Sequence, residues 1–335
     1  MTVKIALDAM GGDYAPTEVV KGAVIAAREY KISLLLVGKE DLIRDELSKY
    51  NTKDLDIDIK HTDEVIEMNE SPGKALRTKK NASIVLAVQA VANGEAQAVV
   101  AAGSTGAAMA ASLLGLGRLP GIDRPAISCV LPSTKKPVVL IDAGANSDCD
   151  PKMLYQFAIM GRIFAKSVLG YENPTVGIMN IGEEEGKGNE LVKEAYNLMK
   201  SHKESLNFIG NIEGRDIVKG DCQVIVCDGF VGNVILKAVE GVGAMLFKLI
   251  KEQFNASIFT KILGLMVKPL FKNIMTKVNY EEYGGALLLG VKGVTVISHG
   301  SSKAYAIKNA IRVAKEAVEN DINGKIIATY EKNSL

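Results

Sequence analysis

Several features that mark other classes of protein are missing from this sequence of 335 residues. Its four cysteines, Cys129, Cys149, Cys222 and Cys227, have neither Cys-x-x-Cys spacing nor a histidine close by in the chain. Without such spacing the common zinc motifs are excluded. We therefore predict reduced cysteines in a cytosolic protein and no metal site.

An excess of charge of either sign is also missing. Lys and Arg number 40 against 39 Asp and Glu, so the chain has no overall field that would attract nucleic acid. A composition of 47% hydrophobic and 24% charged residues is typical of a globular protein. We predict no nucleic-acid partner, and any basic site must be local.

Targeting and membrane-spanning segments are not predicted either. The chain enters a strand at Val3 without an apolar signal core, which predicts that it is not secreted. The uncharged stretch between Glu95 and Arg118 is long enough to span a bilayer, but it consists mostly of Ala, Gly, Ser and Leu. We interpret it as a buried strand that leads into a buried helix.

Two stretches are similar to nucleotide-binding motifs but do not match them. In the loop at 182–189 the Gly-Lys pair is one residue too close to the first glycine for a P-loop, and Gly188 stands where Ser or Thr would bind magnesium. Three consecutive glutamates there would also repel phosphates. The pair Gly115 and Gly117 ends a helical pattern instead of following a strand, so it is not a dinucleotide fingerprint.

What the chain does contain is a regular alternation of apolar strands and amphipathic helices. This alternation predicts one α/β domain over 1–335, with a mostly parallel sheet flanked by helices. Two strands at 127–131 and 138–141 are predicted to form a hairpin. A long helix is predicted from Val231 to about Phe254, and we interpret Gly241 and Gly243 within it as sites of close helix packing.

Polar or small residues follow many of these strands, and ligands of open α/β sheets bind outside the carboxyl ends of strands. A parallel sheet would gather these strand ends around one ligand. Helix N-termini beside such turns offer N–H groups to an anion, although the turn at 103–106 could serve as a helix cap only. The basic run at 74–80 could bind an anion or coat a solvated helix end.

Residues 255–280 are the compositional outlier of the chain. This segment contains no acid, and its four lysines lie among many apolar residues, with Pro269 breaking the helical pattern. Its apolar run is too short to span a bilayer. It is predicted to form a protruding pair of amphipathic helices that lies in the membrane interface, or alternatively a dimerisation or core hairpin.

Six motifs, in the same order along the chain, resemble those of the bacterial phosphate acyltransferases of the PlsX type. The matching runs lie at 8–13 with Pro16, 102–107, 142–146, 180–189, 228–233 and 299–302. The similarity extends from the first strand to the last helix. One departure is Ser104, where the family usually has Asn, so a hydroxyl replaces an amide.

The resemblance implies transfer of a fatty acyl group from acyl carrier protein to inorganic phosphate, which yields acyl-phosphate for phospholipid synthesis without a cofactor. It also implies an isopropylmalate-dehydrogenase-like fold, a homodimer, and a cytoplasmic protein attached peripherally to the membrane through 255–280. A membrane glycerol-3-phosphate acyltransferase is a further candidate partner. The residues expected at the membrane are Ile262, Leu263, Leu265, Met266, Leu270 and Phe271.

This chemistry needs donors for the phosphate, stabilisation of the tetrahedral oxyanion and a proton for the leaving thiolate, but no covalent nucleophile. We predict that His299, Asn180 and Asn233 polarise the carbonyl or steady the thiolate, with Asp228 orienting them. The residues predicted to bind phosphate or substrate are Arg77, Lys79, Lys80, Ser104, Thr105, Gly106, Asn146, Lys187, Asn189, Ser301 and Ser302.

Three other functions remain open. A phosphate acetyl- or butyryltransferase would use coenzyme A, but the long apolar segment favours a fatty chain. A decarboxylating dehydrogenase with NAD and a metal would need a spaced set of aspartates, which the sequence lacks. A non-catalytic, membrane-associated scaffold for lipid synthesis would have no need for polar strand ends.

Overall fold

The computed structural model describes residues 2–264, 266–267 and 280–332, and the strands among them form one sheet of eleven. In chain order they are β1 Lys4–Asp8, β2 Ser33–Gly38, β3 Ile57–His61, β4 Ala98–Ala101, β5 Ala126–Leu131, β6 Val138–Ile141, β7 Val176–Met179, β8 Phe208–Ile212, β9 Val224–Val226, β10 Ala286–Leu289 and β11 Val294–Ile297. The α-helices are α1 Thr17–Tyr30, α2 Glu40–Leu47, α3 Pro72–Thr78, α4 Ser83–Ala92, α5 Thr105–Leu116, α6 Pro151–Ser167, α7 Glu190–Ser201, α8 Lys203–Leu206, α9 Gly229–Asn255, α10 Ala304–Glu319 and α11 Ile322–Lys332.

The sheet consists of two parallel blocks that run in opposite directions. Its strand order is β3-β2-β1-β4-β11-β10-β5-β6-β9-β7-β8, and the three pairings from β11 to β6 are antiparallel. The remaining pairings are parallel, which confirms the predicted mostly parallel sheet and the predicted hairpin of β5 and β6.

Because of this reversal, the carboxyl ends of the two blocks lie at opposite edges of the sheet. We call edge A the edge where β1, β4 and β11 end, and edge B the edge where β6, β7 and β9 end. The expectation that a parallel sheet gathers all polar strand ends at one edge is therefore wrong. The reversal occurs at the β5–β6 pairing, because the two antiparallel pairings of β10, a strand that was not predicted from the sequence, leave β11 and β5 running in the same direction.

Helices cover both faces of the sheet and bury two apolar cores. Along β6, Val139 and Ile141 belong to one core and Leu140 to the other, as the alternation of side chains along a strand requires. Residues of α1, α6 and α10 contribute to the first core, and residues of α4 and α5 contribute to the second. The stretch between Glu95 and Arg118 forms β4 and α5, so its interpretation as a buried strand and helix is confirmed.

Helix α9 stands apart from this packing. Of its 27 residues only Gly229 and Gly232 are fully buried, and it is the one helix in the described part of the chain that is long and apolar enough to cross a membrane. Ile262, Leu263 and Met266, beyond its end, are exposed. Leu265, Leu270 and Phe271, also predicted at the membrane, lie outside the described residues.

Of the four glycines within α9, Gly241 and Gly243 do not pack closely against the described helices. A Cβ atom placed on Gly241 or Gly243 would meet no described atom within 4 Å. Close packing within the described chain therefore does not explain them, contrary to the interpretation of the sequence.

Candidate active site

A cavity of about 650 Å³ lies between α9 and the sheet at β5. Its walls include Thr105, Gly106, Ser298, His299 and Ser302 from edge A, together with Gly144 and Asn233 from edge B. The cavity thus crosses β5 and joins the two edges, so one ligand can reach both. Its volume lies within the range of roughly 300–1,000 Å³ that is typical of small-molecule sites.

Most of the cavity wall between these polar ends is apolar. Met109 comes from α5, Val130 and Leu131 from β5, and Leu236 and Phe247 from α9. The charged wall residues Lys237 and Glu240 pair with each other at 2.8 Å. The interior therefore suits an apolar chain with a polar group at its end.

At edge A, three glycine-containing loops meet behind the polar wall. The N–H of Asp13 donates to the carbonyl of Gly300 at 2.8 Å, and a Cβ atom on Gly11 would lie only 2.8 Å from the amide nitrogen of Gly103. Gly12 has φ +106°, and a Cβ atom there would lie 3.1 Å from the Gly300 oxygen. Side chains at these positions would push the loops apart, so the glycines bring the ends of β1, β4 and β11 together.

Asp8 holds the loop that follows β1. It is almost fully buried, and its Oδ1 accepts a hydrogen bond from the N–H of Met10 at 3.1 Å. Burial raises the pKa of Asp8, while hydrogen bonds from the loop oppose that shift. Its role in the described structure is to hold the loop.

Ser298 is the cavity residue that the sequence analysis missed. Ser298 is only 3% exposed, and its Oγ has no hydrogen-bond partner among the described residues. Its N–H donates to the carbonyl of Ala101 at 2.7 Å, so the main chain is fixed while the hydroxyl has no partner in the described chain. Buried hydroxyls normally have partners, and a single serine after an apolar strand gives no sequence signal of this kind.

His299, which was predicted from the sequence, is exposed and lines the same end of the cavity. The N–H of Ser301 donates to its Nδ1 at 3.2 Å, and the Ser301 hydroxyl lies 2.8 Å from the same atom. An N–H donor at Nδ1 leaves Nε2 to carry the proton of the neutral ring. His299 can therefore donate a proton from Nε2, whereas Ser301 supports the ring.

The structure at Ser301 and Ser302 differs from the predicted anion site at a helix start. Helix α10 begins at Ala304, and its first N–H donates to the carboxylate of Glu18 at 2.8 Å. An acidic side chain already stabilises this helix terminus. Ser302 is nevertheless buried in the cavity wall, and Thr105 at the start of α5 faces the same space.

Edge B presents a scaffold built around Asp142. This fully buried carboxylate accepts the N–H groups of Ile127, Gly144 and Ala145 at 3.0–3.2 Å and both the N–H and the side-chain amide of Asn146 at 2.8 Å. The Asn146 amide also donates to the carbonyl of Pro125 at 2.8 Å. Burial raises the pKa of Asp142, and these donors oppose the shift. Asn146, predicted to bind substrate, is therefore engaged in holding the loop.

Other predicted residues of edge B are also bonded to their own loops. Asp228 accepts the N–H of Val231 at 2.9 Å and caps α9, and Asn189 caps α7 in the same way through Val192. The Asn180 amide donates to the carbonyl of Lys187 at 3.1 Å. Within the described chain, none of Asp228, Asn189, Asn180, Lys187 and Asn146 lines the cavity, whereas Asn233 does.

The predicted cations at the end of α3 lie outside the cavity wall. Lys79 contacts the carboxylate of Glu70 at 2.7 Å and donates to the carbonyl of Val65. Arg77 and Lys80 are exposed. Helix α3 still adjoins the site, because a Cβ atom on Gly106 would lie 2.8 Å from the Pro72 ring. Ser104, on the same turn, caps α5 through the N–H of Ala107.

The thiol in the cavity wall is not poised to act as a nucleophile. Burial raises the pKa of Cys129 to about 12. The reactive thiolate is therefore disfavoured at neutral pH. Elsewhere, Glu183, Glu213 and Asp216 cluster within 4.8 Å, but Arg215 and Lys219 pair with this cluster, and we assign no metal to it.

The comparisons with known proteins agree with this picture. The model of a family described as fatty acid synthesis protein matches residues 3–325. A phosphate acyltransferase of Pelotomaculum thermopropionicum is 55% identical over 329 residues, which cover 98% of this chain and 95% of that protein. One of Halothermothrix orenii is 53% identical over 332 residues, 99% of both chains. The chain belongs to the PlsX-type phosphate acyltransferase family.

Membership confirms the resemblance seen in the six sequence motifs and makes the chain an acyltransferase of lipid synthesis. Among solved structures, a phosphotransacetylase from Streptococcus pyogenes aligns with TM-score 0.65 and 18% identity, covering 95% of this chain and 94% of that one. A 4-hydroxythreonine-4-phosphate dehydrogenase from Klebsiella pneumoniae aligns with TM-score 0.54 and 12% identity, covering 95% and 98%. At such identities the likeness concerns the fold alone, and it confirms the predicted fold class.

Proposed function

We propose that this phosphate acyltransferase takes a fatty acyl group from acyl carrier protein and passes it to inorganic phosphate. The observation that supports this best is the cavity, which has apolar walls along α9 and β5 and hydroxyl and imidazole groups at its edge-A end. The apolar walls would hold the acyl chain, and the polar end would hold phosphate and thioester. The acyl-phosphate product would enter phospholipid synthesis through a membrane glycerol-3-phosphate acyltransferase.

In the proposed reaction a phosphate oxygen attacks the thioester carbonyl, so a C–O bond forms and the C–S bond breaks. The sulfur leaves with the bonding pair and takes the proton from Nε2 of His299, which regains one from the phosphate hydroxyl. The hydroxyls of Thr105, Ser298 and Ser302, with N–H groups at the start of α5 including Gly106, would hold the phosphate. Asn233 would polarise the carbonyl from the other wall.

The remaining predicted residues support this arrangement from outside the cavity. Asp228 would position Asn233 by capping α9, and Asn146, Asn180 and Asn189 would hold the loops of edge B. Ser104 and Ser301 would shape the phosphate end in the same way. The exposed cations Arg77, Lys80 and Lys187 would attract phosphate, and Lys79 would hold the end of α3.

The test mixes purified protein with an acyl carrier protein thioester and phosphate and traps acyl-phosphate with hydroxylamine. We expect acyl hydroxamate that depends on phosphate. Turnover with acyl-coenzyme A alone would indicate the phosphate acetyl- or butyryltransferase function instead. No product from either donor, with the protein folded, would favour the scaffold.

We further propose that residues 255–280 attach the protein to a membrane surface and that a second copy covers the outer face of α9. The exposed side chains of Ile262, Leu263 and Met266 support the first, with Leu265, Leu270 and Phe271 in the same segment. The exposed Val242 and Met245 of α9 support a homodimer. The membrane attachment would place a cytoplasmic enzyme at the membrane where its product is used.

Liposome flotation and sedimentation test these two proposals separately. We expect the double variant Leu263→Glu and Leu270→Glu to lose flotation on anionic liposomes while acyl transfer in solution persists. Unchanged flotation would contradict membrane attachment through this segment. Sedimentation of the wild type as a monomer at micromolar concentration would contradict the homodimer.

A further inference from the structure

Gly243 occupies an unusual position, because it is a glycine in the interior of α9 that also forms part of the cavity wall. A glycine weakens a helix interior and calls for a reason. No described atom lies within 4 Å of a Cβ atom built on it. A side chain at this position would therefore enter the free space of the cavity instead of colliding with the described chain.

The spacing of wall residues along α9 shows which face of the helix borders the cavity. They recur every three or four residues, which is one face of an α-helix: Asn233, Leu236, Lys237, Glu240, Gly243 and Phe247. Gly241 is turned about 160° from Gly243 around the helix axis, near the exposed Val242 and Met245. It is equally open, but it is not part of the cavity wall.

Distance along the helix separates the two ends of this face. Gly243 follows Asn233 by ten residues, which corresponds to about 15 Å of helix rise. The proposed reaction puts Asn233 at the reacting carbonyl. Gly243 therefore lies where the far end of a bound acyl chain would be. The neighbouring wall residues Leu236 and Phe247 are apolar, as contact with methylene groups requires.

We propose that Gly243 forms a tail subsite for the acyl chain and thereby sets the longest chain that the enzyme accepts. The missing side chain leaves room for the last carbons of a long chain. A larger residue would fill that room and shorten the accepted chain while the reacting end stays unchanged. This inference rests on the proposed function, because it assigns the apolar part of the cavity to the fatty acyl group.

The test compares Gly243→Leu with Gly241→Leu, which add the same side chain to two open glycines of one helix. Acyl-phosphate formation is measured with hexadecanoyl and octanoyl thioesters of acyl carrier protein. We expect Gly243→Leu to lower the ratio of kcat/KM for the longer over the shorter chain at least about tenfold, since its four carbons would displace several methylene groups of the longer chain and each is worth about three- to fourfold. Gly241→Leu should leave the ratio within about twofold.

An equal shift in both variants, or no shift in Gly243→Leu, would overturn the tail subsite. If Gly243→Leu does not fold, Gly243→Ala replaces it, because Ala favours a helix. One methyl group should lower the ratio about three- to fourfold. An unchanged ratio in that variant would also overturn the proposal.

Calorimetric binding of hexadecanoate and octanoate separates this proposal from the proposed function. If the wild type forms no acyl-phosphate from either thioester, the proposed function fails, whatever the two fatty acids do. If the wild type is active but Gly243→Leu binds hexadecanoate as tightly as before relative to octanoate, the tail subsite alone fails. Selective loss of hexadecanoate binding supports the subsite without any turnover.

Discussion

The two edges of the sheet use the same kind of residue for different purposes. At edge B, Asp142, Asn146 and Asn180 follow strands, and their polar atoms bond to their own loops. At edge A, Ser298 also follows a strand and belongs to the cavity wall, but its buried hydroxyl has no partner in the described chain. A polar strand end therefore marks either a scaffold or a binding wall, and only its hydrogen bonds show which.

The largest effect should come from the scaffold edge. We expect Asp142→Ala to lower the free energy of unfolding by at least about 3 kcal/mol, since it leaves buried N–H donors without their charged acceptor. Urea denaturation followed by circular dichroism measures this loss. Asp142→Asn keeps one acceptor oxygen and should lose less. A loss below about 1 kcal/mol in Asp142→Ala would mean that edge B does not depend on this carboxylate.

Ser298 provides the opposite case at edge A. We expect Ser298→Ala to lower kcat/KM for acyl-phosphate formation about 10- to 100-fold, the effect of losing a hydrogen bond to a charged group. Its free energy of unfolding should not fall, because the hydroxyl has no partner to lose in the described chain. Kinetics at varied phosphate and chemical denaturation measure the two quantities.

The matched control is Ser128, whose buried hydroxyl donates to the carbonyl of Leu287 at 3.0 Å and lies outside the cavity wall. Ser128→Ala should lose stability by about 1 kcal/mol and keep its kcat/KM. If the two serine variants behaved alike, the distinction between scaffold and binding wall would fail.

Asp8 tests whether edge A has a scaffold of its own. Burial raises the pKa of this carboxyl above its ordinary value of 3.8, so the native state holds a proton that the unfolded chain has released. That contribution to stability is fully present below the ordinary pKa and is lost as pH rises through the raised one. Between the ordinary and the raised pKa of Asp8, we expect the free energy of unfolding to fall less with rising pH in Asp8→Asn than in the wild type. The same slope in the variant and in the wild type would assign the fall to another group, such as Asp142.

The sequence predicted much of the fold because its evidence is local. The buried strand and helix between Glu95 and Arg118, the β5–β6 hairpin and the start of α9 within two residues follow from apolar spacing and turns. The reversal between the two blocks did not, because it depends on the direction in which β11, β10 and β5 pair with one another in the sheet. A run of apolar residues such as 286–289 carries no information about that direction.

The site was predicted in part for a similar reason. His299, Asn233 and Thr105 stand after strands and line the cavity, as motif and position indicated. Ser298 was missed, and the interpretation of Gly243 differed from the structure, because both depend on what surrounds them. A missing hydrogen-bond partner and an open space beside a helix exist only once the chain is folded.

The smallest effect should come from the cations outside the wall. Arg77 and Lys80 are exposed and are not part of the cavity wall, so they can act on phosphate only through their field. We expect the double variant Arg77→Ala and Lys80→Ala to raise KM for phosphate about two- to fivefold at low salt, and the effect should vanish near 1 M salt because screening shortens the field to about 3 Å. Lys21→Ala, which removes an exposed cation of α1, is the control. An effect that persisted at high salt would mean that Arg77 or Lys80 contacts phosphate directly, and the binding wall of edge A would then extend to α3.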